Sequence, residues 1–103
     1  MGVKREWHAS RMPILDGRYT ISVGAVHYAE PDDGKPDYYS IDIEKPFDGG
    51  DWVVSALNFD LDFVAADKIY ASATDIATFD PESRIITYDL GKSVFKYVLK
   101  ADK

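Results

Sequence analysis

Asn58, Asp60 and Asp62 place three oxygen-bearing side chains at alternate positions, the spacing with which a calcium-binding EF-hand loop begins. The rest of such a loop needs glycine at its sixth position for the sharp turn and a bidentate glutamate at its twelfth. Those positions hold Phe63 and Ile69. An outward-facing strand surface accounts for the same three residues with no metal, so no metal ligand is assigned.

His8 and His27 are the only imidazoles, and the chain has no cysteine. A structural zinc site therefore lacks its usual ligands, no HExxH spacing exists, and disulfides, CxxC redox chemistry and a cysteine nucleophile are excluded. A seryl nucleophile wants a histidine base and an orienting acid, and no GxSxG sequence surrounds any serine. Gly49-Gly50 resembles part of a phosphate-cradling loop, but no P-loop or GxGxxG pattern continues it. Asp48 and Asp51 beside it would repel a phosphate. Acid/base catalysis by paired carboxylates needs a pocket that separates their pKa values, and the pattern of acids shows no such pocket. No catalytic residue and no cofactor is assigned, and the chain reads as non-enzymatic.

Carboxylates are nevertheless the dominant chemical group. The formal net charge of the 103 residues is -6, and its distribution is uneven. Residues 1–29 carry four Lys or Arg against two acids and residues 81–103 carry five against three, each a net of +2. Residues 30–80 hold thirteen acids against three lysines, a net of -10. Such a segment repels nucleic-acid phosphate and anionic lipid, so direct binding to either through it is not expected. A basic protein surface is the natural partner.

The elements that carry these acids follow from hydrophobic spacing. Tyr19, Ile21, Val23 and Ala25 alternate with polar residues, and the apolar parity then changes to Val26 and Tyr28, which next to Gly24 predicts a β-bulge. Glu30 to Pro36 is dense in turn-forming residues and predicts a surface loop. Tyr39, Ile41, Ile43 and Phe47 alternate with Tyr38, Ser40, Asp42 and Glu44. Beyond Asp48-Gly49-Gly50-Asp51, the residues Leu57, Phe59, Leu61 and Phe63 alternate with Asn58, Asp60 and Asp62. The two runs predict a hairpin in which Ile43 faces Leu57, Ile41 faces Phe59 and Tyr39 faces Leu61. That register sets Asp42 opposite Asn58, Ser40 opposite Asp60 and Tyr38 opposite Asp62, with Glu44 nearby.

Residues 64–77 mix alanines that favour helix with Ile69, Tyr70 and Ile76 that favour strand, and the expectation is a short helix or turn near Ala65–Lys68 followed by a strand. Asp80-Pro81-Glu82-Ser83 predicts a type I turn between strands at 76–79 and 84–90, and Phe95, Tyr97 and Leu99 mark a last strand. The fold class is mainly β: an antiparallel sandwich, roll or small barrel of about six strands, with one short helix near residues 63–73. The chain forms one domain over 1–103, with 1–17 an extended N-terminal arm lacking clear periodicity. A hydrophobic fraction of 46% and 14% aromatics suit a globular core. The opening residues contain no apolar run of signal-peptide length and no stretch approaches the length of a membrane span, so the expected location is the cytoplasm and no membrane contact is expected.

Together these features predict a small acidic binding protein of the immunity-protein, antitoxin or phage-inhibitor type, covering a basic or nucleic-acid-binding surface such as that of a nuclease. Acids two apart along a strand recur about every 6–7 Å, near the phosphate repeat of a nucleic-acid strand, so the face would act as a nucleic-acid mimic. The expected contacts are Asp42, Glu44, Asp60 and Asp62, with Tyr38 and Trp52 as aromatic anchors. Two other classes compete: a small-molecule binder or enzyme with a pocket lined by the seven tyrosines and other aromatics, and an assembly subunit using an edge strand, with 94–99 as the candidate edge and lysines blunting it. Oligomeric state is open.

Overall fold

The computed structural model describes residues 5–28, 38–47 and 49–100, with the side chains of 5–8, 27, 28, 47 and 51 outside that description. The expected loop over Glu30–Pro36 lies outside the described residues. The described residues are mainly β, with seven strands in two antiparallel sheets and no closed barrel among them. β1 (Arg5–Ile14), β2 (Tyr19–Tyr28), β3 (Tyr38–Phe47) and β4 (Gly50–Phe59) form the larger sheet in the order β1-β2-β3-β4. Two 3-10 turns (Leu61–Phe63 and Ala66–Lys68) and a single helical turn, α1 (Ala73–Ile76), follow. β5 (Ala77–Asp80), β6 (Ile85–Asp89) and β7 (Val94–Val98) form the smaller sheet in the order β5-β6-β7. Both sheets are meanders in chain order; the last strand lies where the spacing of Phe95 and Tyr97 implied, and it is an edge of its sheet.

The core lies between the layers. Tyr19, Ile21, Val23 and Ala25 of β2 and Tyr39, Ile41 and Ile43 of β3 are buried on one side, against Ile76, Ile86, Tyr88, Leu90 and Leu99 on the other. Full burial of one such aliphatic side chain contributes about 1.5–3 kcal/mol. Phe95 of β7 joins the layers, its ring centroid 5.3 Å from Phe59 and 5.0 Å from Tyr88.

Several local expectations change. The 1–17 arm contains β1, paired with β2 from Arg5↔Tyr28 to Ile14↔Tyr19. No bulge occurs at Gly24, since the β1–β2 and β2–β3 registers run through it without a shift. The parity change there reflects burial of both faces of β2: Val26 and Ser22 are buried on the face opposite Ile21 and Val23. The β3–β4 register differs by two residues from the expected one, with Tyr39 facing Phe59, Ile41 facing Leu57 and Asp42 facing Ala56. A bulge lies between Ile43↔Ser55 and Glu44↔Val53, leaving Val54 as the extra residue. The turn after Asp80 closes one residue later than type I: Arg84 N–H donates to Asp80 O at 2.7 Å, with Arg84 at φ 62.

α1 has no cap from its own Ser72; instead the Ala73 N–H donates to Ser10 Oγ of β1 at 2.8 Å. This bond ties the connection between the sheets to an edge strand. Ser10→Ala is expected to cost about 1 kcal/mol, the size of a lost cap, and the check is a lower urea midpoint with an unchanged m-value.

Candidate partner-binding surface

β3 buries Tyr39, Ile41 and Ile43, so strand alternation puts Tyr38, Ser40, Asp42 and Glu44 on the sheet face turned away from the core. The pairings set Arg11, Ser22, Asp42 and Ala56 in one row across the four strands, and Ala9, Gly24, Ser40 and Asn58 in the next. Asp42 lies between Ser22 and Ala56 in its row and is half-buried.

This setting governs its charge. Burial raises the Asp42 pKa above the ordinary aspartate value, Glu44 adds repulsion in the same direction, and Ser40 Oγ, donating to Asp42 Oδ1 at 3.5 Å, partly opposes both. Glu44 is ion-paired with Arg11 of β1. Of the two acids that the sequence places on this face, Glu44 is thus compensated by an arginine and Asp42 is half-buried.

Asp60 and Asp62 do not share the strand. β4 ends at Phe59, and the Asp60 carboxylate accepts the Asp62 N–H at 3.0 Å, capping the first 3-10 turn. Both are exposed. Four residues separate Asp60 from Ala56, the partner of Asp42, a step of about 13 Å along a strand. The six expected contacts therefore form separate groups: Asp42 and Glu44 in the sheet, Asp60 and Asp62 in the turn, and the two aromatics apart from each other. Tyr38 lies near one end of β3; Trp52 faces Lys45 seven residues further along, a separation of about 23 Å at strand rise.

The end of the hairpin carries the clearest surface feature. Beyond the bulge, Trp52 is 66% exposed, and Val53 and Val54 beside it are exposed as well. β4 is an edge strand of its sheet, so this apolar run sits on an open edge. Lys45 reaches back, its Nζ 6.0 Å from the centre of the Tyr19 ring. Val53 and Val54 escape notice in the sequence because valine in a strand reads as core; only the bulge, which breaks the alternation, exposes them.

Among the described residues no group of three His, Asp or Glu side chains gathers to hold a metal ion. Ser93 and Lys96 have the spacing of an SxxK pair, but a three-residue step along an extended chain carries side chains to opposite faces. The side chains of His8 and His27 lie outside the described residues. No helix among the described residues is long and apolar enough to cross a membrane. The chain matches no family model, no curated protein and no solved structure.

Proposed function

We propose that the protein is a binding protein that engages a partner of basic surface through the end of its β3–β4 hairpin, with Trp52 as the anchor. The exposure of Trp52 within an apolar run on an open edge strand carries this reading. A large aromatic held in water costs free energy that a partner pocket would recover, and tryptophan is over-represented among residues that dominate interfaces. The net charge of -6 selects a basic partner and speeds its approach. Asp42 and Glu44 would give local electrostatic contacts. Asp60 and Asp62, at the exit of β4, would act mainly through the long-range field, and Tyr38 would border the acidic rows. An inhibitor of a nucleic-acid-binding protein remains the class that best suits these properties.

The test compares captured proteins on immobilised wild type and Trp52→Ala, at low and high salt. A basic protein held by the wild type and weakened at least tenfold by Trp52→Ala, about 1.4 kcal/mol or more for an anchor residue, supports the reading. Equal retention of the same protein by both baits sinks it. Reversal of Asp60 and Asp62 to lysine is expected to change the salt dependence more than the retained set.

The same open edge favours a second reading, pairing of two copies through β4. Sedimentation equilibrium separates the two, because a dimer that dissociates in Trp52→Ala assigns the edge to self-association.

A further inference from the structure

A cleft of about 660 Å³ opens at the opposite end of β1 from Arg5, between the β1–β2 turn and β5. Its walls are Met12, Ile14 and Leu15 on one side and Ala77, Thr78 and Phe79 on the other. The cleft is broadly open to solvent, and its walls are largely apolar with a few polar groups, a mix that small-ligand sites share. Met12 adds an adaptable side chain that can follow the shape of an occupant.

Among the described residues, Asp16 is the one charged side chain lining the cleft. It is exposed, and no ion pair engages it among the described residues. The backbone places it there at a cost. Leu15 and Asp16 adopt φ values of 52° and 57°; aspartate tolerates the left-handed region, but leucine does so only under strain. The Leu15 carbonyl accepts the Arg18 N–H at 3.1 Å and Arg18 Nε at 3.2 Å, while Ile14 O accepts the Gly17 N–H at 3.1 Å. These bonds hold the turn so that Leu15 packs against the core and Asp16 lines the cleft.

Both walls are edge strands, which raises the question of an added strand. Pro13 in β1 and Pro81 just after β5 remove N–H donors from those edges, and β5 is only four residues long. A peptide strand would find a poor ladder there. A compact ligand held by side chains has no such need.

We propose that this cleft binds small amphiphilic cations, the alkyl or aryl body lying between Met12 and Phe79 and the ammonium or guanidinium head meeting Asp16. The site is separate from the hairpin surface and stands whether or not Trp52 anchors a partner.

The experiment is an NMR titration of the full chain with hexylammonium, hexanol and hexyl sulfate. Hexylammonium is expected to shift the Met12 methyl and Phe79 ring signals saturably. Hexanol binds about three- to fivefold more weakly, the effect of one exposed charge pair, and hexyl sulfate more weakly again. Asp16→Asn, which keeps a residue suited to positive φ, brings hexylammonium down to the affinity of hexanol. Thr78→Trp, at an exposed strand position, fills the cleft and removes both. The proposal is overturned if hexylammonium gives no saturable shift, if hexyl sulfate binds as well as hexylammonium, or if binding persists unchanged in Thr78→Trp.

Discussion

Gly91→Ala is expected to destabilise the fold by about 2–5 kcal/mol, as the sum of a left-handed backbone penalty and an overpacking penalty. Gly91 follows β6 with φ at 86°, and a Cβ built there would stand 2.4 Å from Ala65 Cβ and 3.3 Å from Lys68 Cγ. The lysine end can swing aside; Ala65 cannot. Its N–H donates to Leu90 O at 2.8 Å, which pins the connecting segment to the residue beside Gly91. The turn is held from its own side as well, with Gly91 N–H on Asp89 Oδ1 at 2.9 Å and Leu90 N–H on Ser93 O at 2.9 Å. Urea unfolding reads the loss as a lower midpoint at constant slope. The double variant Ala65→Gly/Gly91→Ala separates the two causes: it relieves the clash, leaves the backbone cost, and should recover roughly half of the loss, by the size of the overpacking contribution. A single-variant loss below about 1 kcal/mol would show that neither constraint holds.

Tyr39→Phe and Tyr88→Phe are expected to do the reverse and stabilise. Both phenol oxygens are buried and find no hydrogen-bond partner among the described residues. A buried polar group left unpaired costs about 1–3 kcal/mol, so removing both oxygens while keeping the rings should raise stability by about 2 kcal/mol or more under that accounting. The pH dependence gives an independent check. Burial pushes the Tyr39 phenol up to about 12. It also raises Tyr88, with smaller contributions from Tyr97 and Asp42. An unfolded tyrosine ionises near pH 10. With folded values above the unfolded one, stability from these groups is fully present below about pH 10 and falls as pH rises from there towards 12, because the unfolded chain releases its protons first. The double Phe variant should therefore lose less stability than the wild type between pH 9 and pH 11. Destabilisation at pH 7 together with an unchanged alkaline slope would mean that both hydroxyls are satisfied in solution.

The sequence made strand content visible wherever a single face is buried. β3 and β7 show it plainly, since Tyr39, Ile41 and Ile43, and likewise Phe95 and Tyr97, keep their parity to the end. β2 hides its register because Val26 is buried on the second face. β1 escapes because Ser10, on the parity of Met12 and Ile14, is a polar residue turned to use as a cap for Ala73. The β3–β4 register was legible only to within two residues: a slip of two returns every side chain to its own face, so apolar matching alone does not separate the alternatives. The candidate surface suffered most from this. Asp60 and Asp62 continue the alternation of the strand, yet Asp60 is also a good cap, and capping ends the strand there. The compensation of Glu44 by Arg11 depends on two strands thirty-three residues apart meeting across β2, which no local pattern shows.

Because each strand pairs only with its neighbours in the chain, no part of either sheet must wait for a distant segment to arrive. The β1–β2, β5–β6 and β6–β7 hairpins can each zip from their own turns, at the modest loop-closure cost of a short connection. What remains is the laying of α1 and the β5–β7 meander onto the larger sheet. The Ser10 to Ala73 bond lies at that seam, and if docking of the sheets sets the folding rate, Ser10→Ala should slow refolding rather than speed unfolding.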